Sequence, residues 1–175
     1  CVAVSSGTAA LHLALLASGV KAGDVIPVPS YTFAATAAAI RYCGAVPRFV
    51  DVSRETWTAP LAFVPVETAG IPVNSGAVID AAASIGRGKI GGELVCLSFN
   101  GNKTVTTGGG GAVVGDNPSQ HHWIRHMATT AKVGNYTHDA VGFNYRMPNI
   151  NAAVGCAQME QLEEFTERKR EIARK

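Results

Sequence analysis

The feature that most constrains this chain is a strand–helix–strand rhythm in its first third. Cys1-Val2-Ala3-Val4 reads as a strand. Ser5-Ser6-Gly7-Thr8 opens an apolar helix over residues 9–17, with Ser6 or Thr8 as its cap and Gly19 as its stop. Val25–Pro29 is a second strand, Ala34–Tyr42 a second helix ending at Gly44, and residues 46–52 a third strand. Strands that alternate with helices in this way pair in parallel, because each crossover helix returns the chain to the same edge of the sheet. Charged residues make up only 16% of the chain and hydrophobic residues 47%. That balance suits a helix-covered sheet or a large subunit interface better than a solvated module.

The rhythm then breaks. Residues 49–52, 61–66 and 76–80 all read as buried strands, yet only 53–60 and 67–75 separate them. A parallel crossover takes about a dozen residues, usually with a helix. Either these strands pair antiparallel, or two crossover helices are absent from this sequence; the lack of any helical pattern in the gaps favours absence. Further on, Leu94-Val95-Cys96-Leu97 is a strand, a second lies at 112–114, and Gly115-Asp116-Asn117-Pro118 is a turn. A helix is predicted over 119–129 and a loop over 132–146. After Pro148 a single long helix is predicted from Asn149 to the end, with Ile150, Ala153, Val154, Ala157, Leu162 and Phe165 on its apolar face.

Several function classes drop out. A net charge of +2 is too small to imply nucleic acid or a charged membrane as partner. The terminal Arg168, Lys169, Arg170, Arg174 and Lys175 alternate with glutamates and read as a solvated face. No apolar run is long enough to span a membrane. Cys1, Cys43, Cys96 and Cys156 show no CxxC spacing and are expected to be buried free thiols of a reducing cytoplasm. His121 and His122 are adjacent, so they cannot share a helix face, and no metal site is expected.

What remains is a small set of residues with one chemistry in common. Lys103 follows a strand within Ser98-Phe99-Asn100-Gly101-Asn102-Lys103-Thr104, and the glycines 108–111 follow it. An amine on a strand-to-loop edge, fenced by small polar residues, suits a lysine that forms a Schiff base with a flat ligand. Taken alone it also reads as a surface lysine in a glycine-rich hairpin. Lys21, Lys89, Lys132, Lys169 and Lys175 sit among turn or charged neighbours and read as solvated. Asp80 ends a strand before Ala81-Ala82-Ala83-Ser84, at the sheet edge where ligands bind in α/β proteins. It can pair with a protonated ring nitrogen, or equally cap a helix. Phe33, near Tyr31, can stack on a ring; as a lone signal a core aromatic is the simpler reading. Ser6-Gly7-Thr8 offers a helix N-terminus to a phosphate, and Ser98 lies on the lysine's loop. Together they describe a pyridoxal 5′-phosphate pocket.

The segments carrying a family resemblance are SSGTAALHLALLASGVKAGDVIPVPSYTFAATAAAIRYCGAVPRFVDV, VIDAAASIG, LSFNGNKTVTTGGGGAVVG and VGFNYRMPNINAAVGCAQMEQLEEF. They agree in order and span most of the chain, which resembles the DegT/DnrJ/EryC1/StrS sugar aminotransferases. The SFNGNKTVTTGGGG and NYRMPNINAA stretches look most like the branch that aminates nucleotide-linked 4-keto-6-deoxy sugars for legionaminic-acid-type surface glycans. The resemblance implies an α/β fold, the large domain of a fold type I aminotransferase, with a mostly parallel sheet and helices on both faces in three layers. It makes residues 1–148 the cofactor domain, with segments missing between 52 and 80. Residues 149–175 become a helix leading to a small carboxy-terminal domain absent from this sequence, and a longer amino-terminal lead is absent too.

By resemblance, Lys103 forms the bond to the cofactor and shuttles protons. Asp80 pairs with the ring nitrogen and Phe33 stacks on the ring. Gly7, Thr8, Ala9 and Ser98 hold the phosphate, and Asn144 reaches it across a homodimer interface. L-Glutamate and a nucleotide-linked 4-keto sugar are the implied substrates. The position three after the aspartate often touches the cofactor's ring hydroxyl; here it is Ala83, with Ser84 beside it. Relatives that carry histidine in place of the lysine are dehydratases, a branch that Lys103 argues against. Two rivals stand beside this reading. One is a non-catalytic, truncated cofactor-binding or dimerising remnant. The other is a nucleotide-binding module, weakened because neither GxGxxG after a strand nor GxxxxGK[ST] occurs.

Overall fold

The computed structural model describes residues 1–59, 62–73, 76–88 and 91–175. Strand β1 is Val2–Val4, followed by helix α1 (Gly7–Ala17), β2 (Val25–Pro29), α2 (Ala34–Tyr42) and β3 (Val46–Val50). Then come a 3-10 turn at Thr68–Gly70, β4 (Val78–Asp80), β5 (Leu94–Ser98), β6 (Gly111–Gly115) and α3 (Pro118–Ala128). The chain ends with a hairpin of β7 (Lys132–Gly134) and β8 (Thr137–His138), then α4 (Asn149–Met159) and α5 (Leu162–Ala173).

The main sheet has the order β1-β6-β5-β4, with β4 parallel to β5 and only β6 reversed against its neighbours. Strands β2 and β3 form a parallel pair. Residues 63–67 join the two groups: Phe63 N–H donates to Pro27 C=O at 2.9 Å, and Val66 bridges Asp80 in parallel. The expected strand at 61–66 is therefore a single bridge at Val66, and its first residue, Leu61, lies outside the described residues. The parallel bridge argues against antiparallel pairing of 61–66 with 76–80. Among the described residues, the chain crosses from Val66 to β4 with only the Thr68–Gly70 turn in between.

Alternation along the strands splits the core. Val78, Leu94, Cys96 and Val113 face α1, which is flanked by α2 and α3; Ile79, Ala81 and Val95 face the other way and meet Val73. Helix α1 is almost wholly apolar and buried, because it packs on the sheet below and on two helices beside it. Its start is set by Ser6, whose Oγ accepts the Ala9 N–H at 3.0 Å.

Two expectations about the second half, and one about the cysteines, need correction. Residues 132–146 contain the β7–β8 hairpin. The final helix is two helices: Gln161 Nε2 takes the Ala157 carbonyl at 3.1 Å, while its own N–H turns to Gln158. That substitution breaks the i→i−4 ladder. No residue of α4 is buried, and Ile150 on its apolar face is 82% exposed. Of the cysteines, Cys43 and Cys96 are buried, but Cys1 and Cys156 are exposed. Lys89 lies outside the described residues. No helix among them is long and apolar enough to cross a membrane.

The amino end of α1 sits directly on β6 and the end of β5. A Cβ on Gly111 would lie 2.6 Å from the Ser6 carbonyl carbon and oxygen and 2.7 Å from Gly7 N. These are backbone atoms that cannot swing aside. Gly111→Ala is expected to cost about 1–3 kcal/mol, the usual penalty of overpacking. Gly109→Ala, with nothing within 4 Å of the added carbon, should leave stability nearly unchanged. Urea denaturation of the two variants checks this, and equal midpoints would refute the close approach.

Candidate active site

Six of the eight residues singled out in the sequence line one cavity of about 390 Å³: Gly7, Thr8, Phe33, Asp80, Ser98 and Lys103. They come from the start of α1, the start of α2, and the carboxyl ends of β4 and β5. The parallel arrangement puts those strand ends on one edge, and the two helices begin at the same edge. Pairing Asp80 with Cys96 in the β4–β5 register holds the aspartate two residues short of the level of Ser98.

Gly7 lies against Ser98, where a Cβ would come within 2.9 Å of the serine's Cβ. That contact sets two hydroxyl-bearing residues, Thr8 and Ser98, on the free N–H end of α1. Ser98 Oγ accepts the Asn100 N–H at 3.4 Å, and its own proton has no acceptor among the described residues. Lys103 is half-buried, on a turn closed by its N–H to the Asn100 carbonyl at 2.9 Å. Phe33 caps α2 through its backbone and is 78% exposed at the cavity wall. It is thus no core aromatic.

Two of the eight lie outside the cavity. Ala9 is buried behind it, and its N–H is committed to Ser6 Oγ, so the expected amide contact to a phosphate is not available from Ala9 in this structure. Asn144 is exposed and bridges Thr129, away from the cavity of its own chain. Ala83 lines the cavity without a polar atom, whereas Ser84 is buried with its Oγ unpartnered among the described residues.

Asp80 is the electrostatic centre. It is only 5% exposed. Thr36 Oγ1 donates to its Oδ2 at 2.7 Å, and the Ala82 N–H to its Oδ1 at 3.1 Å. Burial pushes the carboxyl above its ordinary range, while those two donors and the charge of Lys103 pull the other way. Burial likewise pushes the Cys96 thiol well up, with the Asp80 charge adding to it.

Two groups in or behind the wall escaped the sequence reading. Thr36 is one; its signal was a lone hydroxyl in the run Ala34-Ala35-Thr36-Ala37-Ala38-Ala39. The other is the Glu67–Arg87 ion pair. Its glutamate side chain is fully buried and also accepts the Val73 N–H at 3.4 Å. It clamps the segment after the Val66 bridge to the loop after β4. Nothing local in the sequence marks it, since the partners meet only through the sheet.

The sequence model of the DegT/DnrJ/EryC1/StrS aminotransferase family matches residues 1–69 and 69–175. The chain belongs to this family. It is 40% identical over 202 residues to GDP-perosamine synthase of Escherichia coli O157:H7, covering 97% of this chain and 56% of that protein. Among solved structures it is similar to S. venezuelae DesV in complex with a ketimine intermediate, at 29% identity and a TM-score of 0.85, over 93% of this chain and 52% of the other. It is also similar to NtdA from Bacillus subtilis with bound cofactor PMP, at 28% identity and a TM-score of 0.80, over 92% and 44% of the two chains. The fold is that of the fold type I aminotransferases, α/β with a mixed sheet. The chain spans about half the length of the curated relatives it matches.

The raised Asp80 gives a pH signature for this family member. The folded chain holds the Asp80 proton more tightly than the unfolded chain does. Between the two pKa values the folded state therefore binds more protons, and stability falls as pH rises through that interval. Asp80→Asn removes this contribution. Thermal denaturation of the cofactor-free proteins should find the variant gaining on the wild type, by up to a few degrees, as pH rises from the ordinary carboxylate range. A pH-independent difference would contradict the assignment.

Proposed function

We propose that this chain forms the cofactor-binding part of a pyridoxal phosphate-dependent aminotransferase acting on a nucleotide-linked sugar. The observation that carries the reading is the convergence of the Lys103 amine and the buried Asp80 carboxylate on a cavity that also receives the N-terminus of α1. The residues suit the cofactor. The cavity volume lies in the range of small-molecule sites. The bare Cα of Gly7 leaves the helix end open to an anion, with the Thr8 and Ser98 hydroxyls beside it. Bound pyridoxal phosphate supplies an aldehyde carbon and an electron-withdrawing ring.

Each side chain then has a role. Lys103 Nζ would hold the aldehyde carbon at rest; once displaced by the donor's amine, it would be free to take the proton from the donor's α-carbon and, in the second half-reaction, to deliver a proton to the sugar carbon that receives the amine. Asp80 would accept a hydrogen bond from the protonated ring nitrogen and so keep the ring cationic. Phe33, exposed at the cavity wall, offers its face to the ring. Gly7, Thr8 and Ser98 receive the phosphate, and Asn144 of the partner subunit completes that end. A homodimer is supported by apolar residues that this chain leaves bare: Tyr136, Val141 and Ile150 are 95%, 89% and 82% exposed. L-Glutamate as donor, a 4-keto-6-deoxy hexose as acceptor, a part in surface-glycan synthesis and a cytoplasmic location complete the proposal. The names of the relatives support the nucleotide-sugar class.

A second reading has its own support. The family match falls in two pieces meeting at residue 69, and the stretch aligned with the E. coli relative, 202 positions, is longer than the 175-residue chain. Segments missing between 52 and 80 would make the chain a cofactor-binding remnant without turnover. Absorbance separates the two. Pyridoxal phosphate added to the active protein gives a near-visible band that L-glutamate bleaches; a remnant gives a band that glutamate leaves alone; no band on a folded chain sinks both. Lys103→Ala should abolish the band and turnover. Asp80→Asn should keep part of the band and lower the rate about a hundredfold or more.

A further inference from the structure

Helix α2 carries one polar residue inside a run of alanines. Thr36 is fully buried, so its hydroxyl must find partners or cost stability. It has two. Its Oγ1 lies 2.7 Å from Asp80 Oδ2 and 2.7 Å from Thr32 Oγ1. Counting protons orders the chain. An ionised Asp80 has no proton to give, and Thr36 has one, so Thr36 donates to Asp80. The Thr32 hydroxyl then donates to Thr36. The other carboxylate oxygen receives the Ala82 N–H at 3.1 Å. Asp80 is thereby held on both oxygens, by α2 on one side and by its own loop on the other.

We propose that Thr36 is a positioning residue of this site: its hydroxyl, ordered by Thr32, fixes the Asp80 carboxylate in the ionised form and orientation that would accept a hydrogen bond from the cofactor's protonated ring nitrogen. The proposal rests on the reading of the cavity as a pyridoxal phosphate site. Packing alone does not explain the hydroxyl, because valine would fill the same volume in this apolar setting without a polar group to satisfy. Donors in series polarise one another, which strengthens the bond at the carboxylate. The placement has a second consequence. The Thr36 N–H donates to the Phe33 carbonyl at 3.2 Å in the first turn of α2. One rigid turn therefore carries both the aromatic face offered to the ring and the group that sets the carboxylate at its edge.

The test uses the 175-residue chain as wild type, Thr36→Ser and Thr36→Val, titrated with pyridoxal phosphate across mildly acidic to mildly basic pH and followed by the near-visible band. Thr36→Ser keeps the hydroxyl and should stay within about twofold of wild type, while Thr36→Val should bind about tenfold more weakly, the scale of one lost hydrogen bond to a charged group. The loss should be greatest at the acidic end, where the unsupported Asp80 is protonated, and shrink as pH rises. In the cofactor-free protein, the ¹³C carboxyl signal of Asp80 should titrate at higher pH in Thr36→Val than in the other two. Weakening that is equal at every pH, with an unmoved Asp80 titration, would mean a purely structural role and overturn the inference. Wild-type behaviour of Thr36→Val overturns it as well. A folded wild type that gives no band overturns the reading of the cavity itself, and this inference with it.

Discussion

The structure turns on a buried charge at the end of a short strand. Asp80 donates its N–H to Pro65 C=O at 3.0 Å and accepts the Glu67 N–H at 2.9 Å, so it joins the 63–67 segment to the sheet. Its carboxylate reaches Thr36 on α2, and Cys96 stands opposite it in the register with β5. A carboxylate taken out of water is expensive unless its oxygens are occupied and a countercharge is near. Here two donors and Lys103 offset part of that cost, and Ala81, Ala82 and Ala83 leave room beside it. The free energy stored in holding the charge is available to a cationic ring placed against it.

A second constraint sets the other end of the cavity. Helix α1 is pressed so close to β5 and β6 that Gly7 and Gly111 admit no side chain. Backbone proximity of this kind fixes a helix axis more firmly than side-chain packing does, because peptide atoms do not change rotamer. The open N–H groups at the head of α1 are therefore held in place relative to Lys103 and Asp80. The glycine-rich stretch after Lys103, open to a hairpin or nucleotide-loop reading in the sequence, has in part a plain steric origin: Gly111 makes room for the turn at Ser6–Gly7.

Much of the first half was legible because its signals are local. The apolar helix after Ser6 and the boundaries of β2 and α2 follow from capping residues and periodicity, which act over a few neighbouring positions. Lys103, Asp80, Phe33, Gly7, Thr8 and Ser98 were found by residue type and by place at strand and helix ends. Thr36 was passed over because a single threonine in an alanine helix has the same local signature whether it faces solvent or a carboxylate forty-four residues away. The break between α4 and α5 was missed because it depends on one side-chain amide choosing a carbonyl. The apolar stripe on α4 was real, but its burial was not implied by its existence.

The sequence by itself determined the family, the order of strands and helices in the first fifty residues, and a set of candidate groups for chemistry. Those follow from residue identity and short-range spacing. The tertiary structure alone decided which of these groups share a cavity. It brought the starts of α1 and α2 to the ends of β4 and β5, spent the Ala9 amide on a cap, and supplied Asp80 with a hydroxyl from another helix. Such pairings link positions far apart in the chain. They are decided by how the sheet twists and the helices pack, since only the packed state, where water is excluded, makes an unpaired donor or acceptor costly enough to dictate its partner.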